Sequence, residues 1–338
     1  MHPDLATPAS ALDGSRVAVT GATGLIGSAI CRLLLERNRE TSAAIEVVAL
    51  VRDSARAREG ALHGYGPDDG LRLVEGDLLG VPLENLRADW VVHAACPTAS
   101  GTFVAHPAEV FDVITTGTRR MVELARSSNA RGLVYLSSME VYGAGNDRPG
   151  LDHLLCEGDV GAHDPQSPRS CYPLGKLAAE HICSSAAAEY GVPAKTVRLA
   201  QTFGPGVPAT DGRLFMQIAR AARDGSPVIL RTTGASTRMY LHTDDAVSAI
   251  LTVLTQAPAG SCTNAANPDT YCSVLEMAEM VTSRLGRDGA CVRIELDENA
   301  PYPPEHHLPL DVSRLTALGW TPRHDLEETY AQLIATLS

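Results

Sequence analysis

The run RVAVT passes without a break into GATGLIG and then into an amphipathic stretch, so residues 16–38 specify strand, glycine turn and helix in immediate succession. Few architectures accept that order. Gly21 permits a tight turn, Gly24 lets backbone approach an anionic ligand, and Gly27 lets the helix pack close to its strand. The free N–H groups and the dipole at the helix start favour phosphate. The motif therefore predicts a dinucleotide pyrophosphate seated on Gly21, Thr23, Gly24, Leu25, Ile26 and Gly27.

The same alternation continues down the chain. Short β-branched runs predict strands at 16–20, 45–51, 71–75, 90–94, 132–137 and 195–199, with helices of three-to-four apolar spacing at 25–38, 107–127 and 172–190. Alternation of this kind specifies an α/β fold with a doubly wound parallel sheet. The stretch 143–170 breaks the rhythm with prolines, glycines and acids, as a functional flap does. After Leu199 the composition turns to Gly, Pro and Thr. The expected division is a dinucleotide-binding domain of residues 1–200 and 240–267 and a smaller C-terminal substrate lobe of residues 201–239 and 268–338.

The formal net charge of -12 opposes nucleic-acid backbones and anionic membranes, and no basic run overrides it. No apolar run approaches the length of a membrane span. The N-terminal stretch lacks the basic-then-apolar order of a signal peptide, so a cytoplasmic location is expected, with order beginning after about the first dozen residues. Eight scattered cysteines form no CxxC pair, and no metal constellation accompanies them; they read as reduced packing thiols.

The end of the second strand selects between dinucleotides, because a carboxylate there would bond a free ribose 2′-hydroxyl and repel a 2′-phosphate. Val51 occupies that place and Arg52 follows, which leans the reading to NADP over NAD, with Asp53 still able to turn toward a ribose. Asp77 and Leu78 end the third strand, where adenine would lie. Ala94 and Ala95 follow His93 at the end of the fourth, and His93 itself reads as a packing histidine beside the cofactor.

Tyr172 and Lys176 stand four apart at the start of a helix, on one face. A tyrosine with pKa near 10 becomes a usable base only if cations stabilise its phenolate, and a lysine ammonium beside an oxidised nicotinamide supplies two. Ser138, at the end of the strand LVYLSS, can hydrogen-bond the reacting oxygen. The set describes removal of a hydroxyl proton while the same carbon is oxidised.

GATGLIG, GDL, HAA, SSMEVYG, YPLGK and TRMYLHTDDA together resemble the extended short-chain dehydrogenase/reductase family, in its NAD-dependent epimerase/dehydratase branch, over nearly the whole chain. The resemblance implies a Rossmann domain, a lobe that holds a nucleotide sugar, transient oxidation at C4, and a homodimer built on the YxxxK helix. Glu140, two after Ser138, resembles the carboxylate of 4,6-dehydratases and uronic-acid decarboxylases. Met139 stands where some dehydratases carry aspartate. A nucleotide-sugar 4-epimerase remains the alternative, and a net NADPH-dependent carbonyl reductase the alternative of another class. Arg238 matches a family position that contacts nucleotide phosphates; Arg213, Gln201 and Thr98 complete the substrate candidates. Gln201 and Ile114 replace asparagines common in the family.

Overall fold

The computed structural model describes residues 6–143, 149–297 and 305–337. The strands, in chain order, are β1 (Arg16–Thr20), β2 (Glu46–Val51), β3 (Leu71–Glu75), β4 (Trp90–His93), β5 (Gly132–Ser138), β6 (Ala194–Leu199), β7 (Gln201–Phe203), β8 (Pro227–Leu230), β9 (Thr237–His242), β10 (Cys262–Ala265), β11 (Asn267–Ser273), β12 (Cys291–Ile294) and β13 (His307–Leu308). Seven of them form one sheet in the order β10-β6-β5-β4-β1-β2-β3. Every pairing in it is parallel. The predicted doubly wound α/β class is the one observed.

Alternation along the strands explains the layers. Val17 and Val19 of β1 turn to one face, under the helices Leu25–Glu40 and Thr243–Gln256. Ala18 turns to the other, under Pro107–Ser127 and Cys171–Tyr190. Strand order reverses between β4 and β1, and Gly21 ends β1 at that switch point. In such sheets the crevice at the strands' carboxyl ends is where ligands bind.

Beyond Leu199 the chain builds a second layer. Strands β7, β9, β11 and β13 form a small sheet and β8 pairs β12. Phe203, Phe215, Tyr240 and Tyr330 pack around one another at its centre, Phe203 being 4.7, 5.9 and 5.0 Å from the others in that order.

Two expectations change. The N-terminal dozen is not wholly outside the fold, because Ala6–Ser10 is helical and Ala9 and Leu12 are completely buried in the main core. The stretch 143–170, of which 144–148 lie outside the described residues, is fastened down. Leu155 bridges Leu310, and Asn264 donates from one amide to the carbonyls of Leu155 and Asp311. All eight cysteines are free. No helix among the described residues is long and apolar enough to cross a membrane.

Candidate active site

The glycine turn is shaped by backbone against backbone. Gly21 has φ +66°, and a Cβ there would stand 2.8 Å from the Ala94 carbonyl and the Ala95 nitrogen. At Gly27 a Cβ would meet the Gly21 carbonyl oxygen at 2.2 Å, whereas at Gly24 the nearest atom is that oxygen at 3.3 Å. Gly24 starts the helix Leu25–Glu40 with no side-chain cap and no acidic residue in the first turn. Exposed Thr23 and Gly24 and half-buried Leu25 and Ile26 line the approach. The cradle thus offers uncapped N–H groups and room for a pyrophosphate. A Gly27→Ala chain is expected to lose about 1–3 kcal/mol of stability from overpacking and to bind the dinucleotide at least about tenfold more weakly. Gly24→Ala should be far milder in stability; urea melts and cofactor titration read both.

At the end of β2, Arg52 is exposed and has no hydrogen-bond or ion partner among the described residues. Asp53 is otherwise engaged: its carboxylate accepts the Arg56 N–H at 2.9 Å and caps the helix Ser54–Glu59. Turning it toward a ribose would uncap that helix. Asp77 accepts the Leu79 N–H at 2.8 Å, and Leu78 packs where a Cβ on Gly117 would be, 2.7 Å from Leu78 Cδ2.

His93 is buried and its Nδ1 lies 2.8 Å from the Thr20 hydroxyl, which also accepts the Ala95 N–H at 3.1 Å. Burial, with the Lys176 ammonium as a lesser cause, depresses His93 to a pKa of about 3. It is neutral at physiological pH and holds the β1–β4 junction together.

Tyr172 begins the helix Cys171–Tyr190 one residue after its start and is buried, its ring stacked on Phe103 at 4.5 Å. Its phenol is pushed well above the ordinary value. Burial is the largest cause, then the Cys96 thiol and the Glu140 carboxylate, while a hydrogen bond with Ser138 and the charge of Arg213 pull it down. Ser138 Oγ also accepts the Glu140 N–H at 3.2 Å, which winds the chain into the turn Met139–Tyr142. Ser138, Glu140 and Tyr172 therefore act on one another directly.

Lys176 lies beside the Tyr172 ring. Its Nζ donates to the Leu136 carbonyl at 2.7 Å and hydrogen-bonds the Cys96 thiol, and it stands 5.4 Å from the Tyr172 ring centroid. The carbonyl uses one of the ammonium's three N–H donors and leaves its charge near Tyr172.

Glu140 is ion-paired to Arg169, 3.2 Å from Oε2 to Nη2. The Arg169 guanidinium lies 5.7 Å from the Phe103 ring centroid, and its Nη1 is buried with no hydrogen-bond partner. Sequence reasoning missed Arg169. Its place three before Tyr172, on the turn that opens the same helix, was the available signal.

Of the substrate candidates, Gln201 and Arg238 are brought together: Arg238 Nη1 donates to Gln201 Oε1 at 3.4 Å. Its Nη2 is 3.3 Å from His306 Nε2, and its Nε is buried without a partner. Arg213 pairs with Asp211, Nη2 to Oδ2 at 2.7 Å, within electrostatic reach of Tyr172. Thr98 is exposed beyond β4.

His242, Asp244 and His324 lie close enough for their ligand atoms to face one cation. His242 has no lone pair free for one. Its Nδ1 accepts the Asp244 N–H at 3.0 Å and its Nε2 is 3.2 Å from Gln332 Oε1. The ring packs against His324 as the cap of a helix start.

The parallel sheet and the glycine turn at its switch point define an α/β chain of the dinucleotide-binding type, and the comparisons give its family. Residues 17–267 match the NAD dependent epimerase/dehydratase family, and the chain belongs to that family. It is 27% identical over 316 residues to UDP-glucuronic acid decarboxylase 1 of Xenopus tropicalis, covering 94% of this chain and 70% of that one. It is 27% identical over 314 residues to UDP-glucuronic acid decarboxylase 6 of Arabidopsis thaliana, covering 93% and 86%. Among solved structures, a dTDP-glucose 4,6-dehydratase from Streptomyces venezuelae with NAD and TYD bound aligns with TM-score 0.77 at 24% identity, over 95% of this chain and 96% of that one. A UDP-glucuronic acid 4-epimerase from Bacillus cereus, in complex with UDP-glucuronic acid and NAD, aligns with TM-score 0.75 at 19% identity, over 95% and 98%.

Proposed function

We propose that this enzyme oxidises a nucleotide-linked uronic acid at C4 and releases its C6 carboxylate as carbon dioxide. The observation that carries the reading is Glu140 on the turn that ends β5, its N–H bonded to the Ser138 hydroxyl and its carboxylate near enough to Tyr172 to raise the phenol's pKa. Decarboxylase relatives support it.

The residues divide the work. Tyr172 takes the C4 hydroxyl proton, Ser138 hydrogen-bonds the C4 oxygen, and Lys176 stabilises the phenolate. Bound NAD(P) supplies the hydride acceptor, held by the turn from Gly21 to Gly27, with Asp77, Leu78, Ala94 and Ala95 at its flanks. A ketone at C4 makes the C6 carboxylate a β-keto acid, which loses carbon dioxide readily once Tyr172 and Ser138 stabilise charge on the C4 oxygen. The enolate carbon left at C5 then takes a proton from water, which the Glu140 carboxylate would orient. With Met139 in place of aspartate, no acid at that position assists departure of a C6 hydroxyl, which favours decarboxylation over 4,6-dehydration. Arg238, Gln201, Arg213 and Thr98 serve the nucleotide sugar, in a lobe formed by residues 201–239 and 268–338.

Arg52, together with the commitment of Asp53 to its helix, favours NADP, although the family is NAD-dependent. The proposed homodimer joins through Pro107–Ser127 and Cys171–Tyr190, where Phe111 leaves apolar surface exposed.

The test is incubation with UDP-glucuronic acid, UDP-glucose and dTDP-glucose in deuterated water, with products read by mass and NMR. Carbon dioxide loss from the uronic acid is expected. Unchanged mass with an inverted C4 signal would instead make the enzyme a 4-epimerase. Glu140→Gln is expected to cut product formation by about 10²–10⁴-fold while C4 oxidation, followed at 340 nm, persists. A variant as active as its parent would remove Glu140 from the chemistry.

A further inference from the structure

Lysine occurs at only two positions in the chain, Lys176 and Lys195, and both are buried. An ammonium withdrawn from water normally needs a carboxylate beside it. Among the described residues Lys176 has none within ion-pair distance. What it has is a carbonyl, the Cys96 thiol, and two aromatic faces: Nζ lies 5.0 Å from the ring centroid of Tyr135 and 5.4 Å from that of Tyr172.

Tyr135 is placed for this by the sheet. It is the cross-strand partner of His93, itself the partner of Thr20, so Thr20, His93 and Tyr135 form one buried row on the face covered by the catalytic helix. The His93 ring is 5.5 Å away and neutral, so it does not compete as a cation. The Tyr135 hydroxyl is buried and has no hydrogen-bond partner. The hydroxyl therefore does not account for tyrosine here, whereas the ring's negative face meets the ammonium within the range of a cation–π contact, which strengthens on desolvation.

We infer that Tyr135 is a positioning residue whose aromatic face takes the place of a counter-ion for Lys176, holding the ammonium where it can act on Tyr172. The catalytic consequence rests on the proposed reading of Tyr172 as the base. The contact itself does not.

Because the chain has two lysines, ¹³Cε-labelled lysine gives two methylene signals, and Lys195→Arg assigns them. In the dinucleotide-loaded enzyme the Lys176 Hε protons are expected to be ring-current shifted, to keep that shift in Tyr135→Phe, and to lose most of it in Tyr135→Leu. With UDP-glucuronic acid, Tyr135→Phe is expected within about threefold of the parent in kcat and at equal or higher Tm, since an orphaned hydroxyl is removed. Tyr135→Leu is expected to lose about tenfold or more in kcat, with KM changed far less. Should Tyr135→Leu fail to fold, phenylalanines with one, two and three ring fluorines at position 135 drain the ring's negative face at nearly constant shape. A stepwise fall in kcat along that series supports the proposal. A flat series, an unmoved Hε shift in folded Tyr135→Leu, or a Tyr135→Phe as impaired as Tyr135→Leu overturns it. If Tyr172→Phe keeps full turnover while the Hε shift still depends on the ring at position 135, the assignment of the base fails and the Lys176–Tyr135 contact stands.

Discussion

A Tyr172→Phe enzyme is expected to turn over UDP-glucuronic acid about 10²–10⁴-fold more slowly than its parent, the usual contribution of a positioned acid–base group. The ring would remain stacked on Phe103, so the change removes one oxygen and little packing. Dinucleotide affinity should therefore move much less than kcat. The size of the loss follows from the surroundings of that oxygen. Burial, Cys96 and Glu140 hold the phenol protonated, and Ser138 and Arg213 oppose them. Single-turnover measurement of C4 oxidation isolates the step, and a loss below about threefold would exclude Tyr172 as the base.

The second large effect concerns stability. Arg198 on β6 and Glu180 on the helix Cys171–Tyr190 form a buried pair at 2.7 Å, their side chains 4% and 11% exposed. Glu180 also accepts from Ser137, and Arg198 donates to the Tyr142 hydroxyl at 3.1 Å and to the Glu157 carbonyl at 2.8 Å. Tyr142 in turn donates to Asn264 at 2.6 Å. Arg198→Ala leaves a carboxylate buried without its cation, a loss of about 3–5 kcal/mol. Urea denaturation at unchanged m-value measures it. Replacing both members by apolar residues of similar volume should recover much of the loss, because two desolvation costs leave with the pair. If the double variant is no more stable than Arg198→Ala, the energy lies in the hydrogen bonds to Tyr142 and Glu157.

The parts of this molecule that are legible in sequence are those governed by neighbours along the chain. The strand–turn–helix that begins at Arg16 is present, its helix running two residues past the expected end to Glu40, and the six predicted strands of the main sheet appear within a residue of their expected ends, because buried parallel strands are continuous apolar runs between turn residues. The set Ser138, Glu140 and Tyr172 is legible for the same reason, each lying at the end of a strand or the start of a helix. The small strands β7, β8, β12 and β13 are not, being two to four residues long, too short for a period to show. Electrostatic partnerships are hidden as well. Only its place three before Tyr172 hints that Arg169 faces Glu140 from 29 positions away, and nothing local announces that Arg198 reaches Glu180 across two elements. Spacing alone points Lys176 toward the tyrosine, but it does not announce that a carbonyl 40 positions earlier in the chain accepts one of its three N–H donors. The Asp53 cap escapes a sequence reading because the helix it starts is six residues long and lacks an apolar stripe.

The scarcity of lysine reaches beyond catalysis. With both ammoniums enclosed, the outer surface carries its permanent side-chain positive charge on guanidinium groups alone. Amine-directed coupling, whether by active esters or by aldehydes, finds no side chain there to attack. A lysine introduced at any chosen exposed position would consequently be a unique side-chain handle for immobilising or tagging this enzyme without touching its centre.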